Sequence, residues 1–255
     1  GILWGGIESE GVIVRTFDGR CYRGSVVPVN GAVHVNRGVH TVERNADTME
    51  IRLDMRVESE DDVRALGINA GDFVLVDPRV EVSPSGFVRG RFLDDKAGVA
   101  TIYGALLALK AAGLRPAQDV AILIANYEEV GHGGAAGLPS DVAELVAVDM
   151  AALGEGQQSD EFHTTICVKD SGGPYHFELS NKLRRIAEAS DIPYKVDIYP
   201  FYSSDGTAYW RSGGVGRVGL IGPGVDNSHS YERTHRDALD ATSMLLARYL
   251  VDEGA

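Results

Sequence analysis

Asp94 and Asp95, within RFLDDKAGVA (91–100), close one apolar stretch and open another that reads as a helix. Asp95 alone has a local explanation, because a carboxylate at a helix N-terminus accepts from free N–H groups and complements the dipole. Asp94 needs another. Acidic and imidazole side chains recur where three further apolar runs end: VAILIAN leads into Tyr127 and then Glu128-Glu129, ELVAV into Asp149, and RVGLIG through PGVDNS to His229. Ligands of open α/β sheets gather outside the carboxyl ends of strands. Four separate segments therefore deliver Asp, Glu-Glu, Asp and His towards one sheet edge.

Carboxylates crowded in this way repel one another and resist burial. A divalent cation removes the conflict. Carboxylate oxygen and imidazole nitrogen together suit Zn²⁺, Co²⁺ or Mn²⁺, and one aspartate, here Asp94, can bridge two ions. Paired ions polarise a carbonyl and lower the pKa of a bound water. Neighbouring side chains diverge, so one of Glu128 and Glu129 can hold metal while the other takes the proton of the nucleophilic water.

The elements that must position these groups fall into two parts. Residues 1–90 are β-rich: GVIVRTFDGRCYRGSVVPVNGAVHV alternates apolar and polar residues, with DG and NG at hairpin breaks. SEDDVRALG reads as one short helix, capped by Ser59 with Asp62 in a variant capping box and stopped by Gly67. This part is expected to be a small β-barrel-like domain. From residue 91 to 255, helical and strand patterns alternate. DKAGVATIYGALLALKAAG carries Ala100, Tyr103, Leu106 and Leu107 at helical spacing. DVAILIAN (119–126), ELVAVD, TTICV, YKVDIY and RVGLIG read as strands, and HFELSNKLRRIAEAS and RDALDATSMLLARYLVDE as amphipathic helices. The fold class expected is α/β, a mostly parallel mixed sheet sandwiched by helices.

Composition narrows the partners. A formal charge of −13 over 255 residues, with no Lys/Arg run, argues against nucleic acid or an anionic membrane surface. No apolar run is long enough to cross a bilayer. Two distant cysteines, Cys21 and Cys167, suggest neither a disulfide framework nor a thiolate zinc site, so a reducing, cytoplasmic setting is the expectation.

LDDKAG, NYEEVGHGGAAG, AVDMAALGEG and SHSYERTH, in that order, resemble the tetrahedral (TET-type) glutamyl and deblocking aminopeptidases, peptidases with a cocatalytic pair of metals. The resemblance spans essentially the whole chain. It implies a phosphorylase/hydrolase-like fold, with the β-rich part as a dimerisation domain and dimers assembling into dodecamers that admit short peptides. It also implies that Asp94 bridges two metals, that Glu128 is the general base, that Glu129 and His229 complete one metal, and that Asp149 binds the other. One departure stands out: the family's His-x-Asp motif, ahead of its β domain, is not found before the β-rich part here. The expectation is a catalytic domain incomplete at its N-terminal side, and a chain that, if it truly lacks that segment, holds fewer ions with little activity.

Two alternatives follow from the residues. A chain without the motif could be an assembly scaffold without turnover. Gly131-x-Gly133-x-x-Ala136, with Asp149 further on, imitates a dinucleotide-binding fingerprint, although Glu128 and Glu129 would repel the pyrophosphate. Among the remaining candidates, His132 is placed to touch substrate, and Asp205 either caps a helix or holds a substrate amine. Tyr231 and Glu232 would fix the His229 loop. His34, His40, His163 and His176 are read as structural.

Overall fold

The computed structural model describes residues 1–253, which form two compact units, Ile2–Arg79 and Val80 onward with Gly1. In the smaller unit, strands β1 (Gly11–Arg15), β2 (Cys21–Pro28) and β3 (Met49–Leu53), helix α1 (Glu60–Ala65) and strand β4 (Phe73–Val76) follow in order. The strands make an antiparallel sheet in the order β3-β2-β1-β4. The sheet has β3 and β4 at its edges, and these two strands do not pair with each other among the described residues. β1 and β2 turn at Asp18-Gly19, where Gly19 supplies a φ of +87°. Ser59 caps α1 by accepting from the N–H of Asp62 at 3.2 Å, while Asp62 accepts from the N–H of Glu58 at 2.9 Å.

The second expected hairpin does not form. After Asn30-Gly31 the chain coils into turns, and the side chain of Asn36 caps a 3₁₀ turn at Arg37–His40. The alternation of GAVHV is outweighed by that Asx-type capping, which offers the backbone a local partner.

The larger unit comprises β5 (Glu81–Val82), β6 (Phe87–Gly90), α2 (Leu93–Ala112), β7 (Glu144–Val148), β8 (Ala151–Ala152), β9 (Thr164–Asp170), β10 (Gly173–Pro174), α3 (Phe177–Ala189), β11 (Tyr194–Ile198), α4 (Asp205–Arg211), β12 (Arg217–Val225), β13 (Glu232–His235) and α5 (Arg236–Leu250). β12 runs parallel to β7 and antiparallel to β9, which in turn runs parallel to β11. Side chains alternate across this mixed sheet. Ile166 and Ile221 face the core built with α2, α3 and α5, and Cys167 and Leu220 face the core built with α4. Helices therefore cover both faces. The β5–β6 hairpin pairs with β13, so the compact units divide at residue 79, ahead of the boundary at 90 that the sequence pattern suggests. No described helix is long and apolar enough to cross a membrane.

Two expectations about the larger unit need correction. Residues 119–126 form no strand and pair with none among the described residues, and Val120, Ile122 and Ile124 stay exposed. An apolar β-branched run states a preference for strand, but the ladder also needs a neighbour. In α2 the buried stripe is Ala97, Thr101, Ala105 and Leu109, whereas Tyr103 and Leu107 are exposed. Small residues win that face because α5 approaches closely: a Cβ on Gly104 would meet Ser243 Oγ at 2.7 Å.

Candidate metal centre

Asp94, Asp149 and His229 follow strands, whereas Glu128 and Glu129 follow a segment that pairs with none among the described residues. β6 passes through Phe92, held at a φ of +66°, into Asp94 and Asp95. The regular turns of α2 begin after these aspartates, and Asp95 Oδ1 accepts from the N–H of Gly98 at 3.1 Å, the cap that the sequence suggests. β7 ends on Asp149, whose Oδ1 accepts from the N–H of Met150 at 2.8 Å. The loop after β12 carries His229, held at a φ of +64°. Glu128 and Glu129 open a 3₁₀ turn, Glu128–Val130, after the unpaired segment 119–126.

The fold gathers the aspartates. Asp94, Asp95 and Asp149 each offer a carboxylate oxygen within 4.8 Å of the others. His229 Nε2 stands 3.3 Å from Asp94 Oδ2. Two like charges about 5 Å apart repel by roughly 3 kcal/mol at an effective dielectric of about 20. Burial adds to that. It pushes the carboxyl of Asp94 up to about 7, reinforced by the charges of Glu129, Glu232 and Glu128. Asp95 and Asp149 are raised well above the usual carboxylate range by burial, then by Asp149 and Asp94 for the former and by Asp94 and Glu128 for the latter. Glu128 is also pushed up to about 7, first by burial and then by Asp205 and Glu129.

Such a donor set fits a divalent cation, which turns mutual repulsion into shared attraction and matches oxygen-plus-imidazole chemistry. Asp95 belongs to the set, although the sequence singles it out only as a cap. Glu129 lies beside Asp94 in charge but outside the 4.8 Å group, and it accepts the ammonium of Gly1 at 3.2 Å.

Residues around the set hold it in place. The hydroxyl of partly buried Tyr202 donates to the carbonyl of Met150 at 3.1 Å and also bonds the Asp149 carboxylate. Asp205 is not the cap of α4. Ser204 takes that role, and the Asp205 carboxylate instead accepts from the N–H of Gly134 at 2.6 Å. The approach is close enough that a Cβ on Gly134 would meet the Asp205 carbonyl oxygen at 2.3 Å, and one on Gly133 would meet Asp205 Oδ1 at 2.6 Å. His132 is exposed and stacks on Tyr127, with ring centroids 5.0 Å apart. His163 pairs with Asp160, and His176 caps α3, both structural roles.

An α/β sheet with carboxylates and an imidazole gathered at its strand ends fits a metal-dependent hydrolase. The chain belongs to the M42 glutamyl aminopeptidase family, whose model matches residues 1–245, and it is an aminopeptidase. It is 44% identical over 250 residues to YhfE of Bacillus subtilis (strain 168), named as an aminopeptidase, covering 98% of this chain and 72% of that one. Its fold is similar to a TET aminopeptidase from the marine sediment archaeon Thaumarchaeota archaeon SCGC AB-539-E09, with a TM-score of 0.80 at 18% identity over 98% of this chain and 72% of that one. The Pyrococcus horikoshii TET1 peptidase, which can assemble into a tetrahedron or a large octahedral shell, matches with a TM-score of 0.76 at 19% identity, over 99% and 74%. The dinucleotide alternative falls with this assignment.

Proposed function

We propose that the chain removes N-terminal residues from short peptides using two divalent metal ions, a water nucleophile and Glu128 as general base. The observation that carries this reading is the convergence of Asp94, Asp149 and His229 from three strand ends, with Glu128 and Glu129 on the adjoining turn. Asp94 would lie between the ions, Glu129 and His229 would hold one, and Asp149 the other; zinc, cobalt and manganese all accept these donors. Bound there, such ions would polarise the scissile carbonyl and lower the pKa of the attacking water.

The chain's own groups do the rest. Glu128, one residue from a proposed ligand, takes the proton from the water on a carboxylate oxygen and passes it to the departing amine nitrogen. No side chain bonds covalently to the peptide. Asp205 has one oxygen engaged by Gly134, and its charge is suited to a substrate α-ammonium. His132 borders the same turn and would touch the peptide.

The similarity to a self-assembling TET peptidase supports a homo-oligomer, with the smaller unit joining dimers and the dimers building a dodecamer. Two free cysteines accord with a cytoplasmic setting. The deciding experiment compares a free peptide with its N-acetylated form by mass spectrometry, before and after chelation. Stepwise loss of N-terminal residues from the free peptide alone, abolished by chelation and restored by zinc or cobalt, is expected; chelation-resistant hydrolysis would overturn the reading.

A further inference from the structure

Glu232 is 2% exposed and begins β13, and it does not belong to the set of expected ligands. β13 pairs antiparallel with β6, Glu232 lying opposite Gly90. Beyond that pair the two strands leave the sheet at the same end, one towards Asp94 and the other back towards His229. The Glu232 carboxylate spans the gap between them. Its Oε2 accepts from the N–H groups of Leu93 and, at 3.2 Å, Asp94, and its Oε1 accepts from the N–H of His229 at 3.0 Å.

Both segments need an external hold. Phe92 and His229 are non-glycine residues in the left-handed region, at φ values of +66° and +64°, which the chain does not adopt without compensation elsewhere. Only a carboxylate fits the requirement, because N–H donors approach both of its oxygens. A glutamine would turn an NH₂ towards one set of donors.

We propose that Glu232 is a positioning residue that fixes Asp94 and His229 relative to each other for metal binding. The inference rests on the reading of those two residues as ligands. Backbone groups carry the hold, so the spacing of the two side chains is set before any ion arrives, and lost supporting bonds of this kind weaken metal binding by roughly 10- to 100-fold.

The test uses the full chain with Zn²⁺ as probe. Zinc affinity is measured by competition with a chromogenic chelator, and unfolding of the metal-free protein is followed by circular dichroism. Glu232→Gln is expected to fold cooperatively but bind zinc roughly 10- to 100-fold more weakly. Glu232→Asp, which keeps both oxygens on a shorter arm, is expected to fall between it and the unaltered chain, and it decides the matter should the glutamine variant fail to fold. A folded variant that melts at a lower temperature yet binds zinc within twofold of the unaltered chain overturns the proposal and leaves the metal site standing. An unaltered chain that takes up no zinc overturns both.

Discussion

His229 Nε2 lies 3.3 Å from Asp94 Oδ2, although the two residues stand at opposite ends of the sheet-bearing unit's sequence. The pairing of β6 with β13 brings their segments together, and the aspartates at the ends of β6 and β7 then share one small volume with them. Each consequence below follows from that crowding or from the groups that support it.

Glu128→Gln keeps the shape of the turn and leaves the proposed ligands intact, but it removes the oxygen that accepts a proton. Metal content should remain that of the unaltered chain while kcat for peptide hydrolysis drops by about 10²- to 10⁴-fold, the usual worth of a positioned general base. A rate within threefold of the original would remove Glu128 from the mechanism.

Stripping metal should expose the cost of the buried acids. Asp94 is pushed from an ordinary 3.8 up to about 7 by burial and by the charges of Glu129, Glu232 and Glu128, and Asp95 and Asp149 move in the same direction. For a group raised in the folded state, stability is fully present below the unfolded value and is lost as pH rises through the folded one. The chelated protein should therefore melt at a higher temperature at pH 5.5 than at pH 8. Added zinc should stabilise it most at pH 8, where the carboxylates are charged. Calorimetric scans at both pH values, with and without zinc, check the sign.

Asp205→Asn retains an oxygen for the N–H of Gly134 but gives up the negative charge. If the charge holds the substrate's ammonium, KM should rise by roughly tenfold or more, in line with the 1.5–3 kcal/mol of a hydrogen bond to a charged group, with a smaller change in kcat. An unchanged KM would leave Asp205 as an anchor of the loop alone.

Cys167 is buried in the core beneath α4, and burial pushes its thiol up to about 12, so almost none of it is thiolate near neutrality. Cys21 is exposed. Ellman's reagent at pH 8 should titrate one thiol per native chain and two in guanidinium. Two in the native state would mean that the core around Cys167 opens readily.

Much of the centre can be read from the sequence because its residues follow apolar strand patterns, and a sheet places strand ends together. Asp94, Asp149 and His229 are of this kind. Asp95 is harder, since its local duty as a helix cap accounts for an acid at that position and hides its place in the cluster. Glu232 is legible only as a support of the His229 loop: its bonds to Leu93 and Asp94 join it to a segment that only the β6–β13 pairing makes a neighbour. The same limit explains 119–126, where composition favours a strand but cannot supply a partner strand. In α2 the sequence offers apolar residues on more than one face, and close approach by α5 selects the small ones.

The Gly133-Gly134 pair, pressed against Asp205, also bears on how this enzyme could be redesigned. Any side chain at either position would wedge the loop away from α4 and shift Glu128 with it. A library aimed at new peptide preferences would keep both glycines and diversify Tyr127, Val130 and His132, whose side chains face outward on the same loop and can change without disturbing that seat.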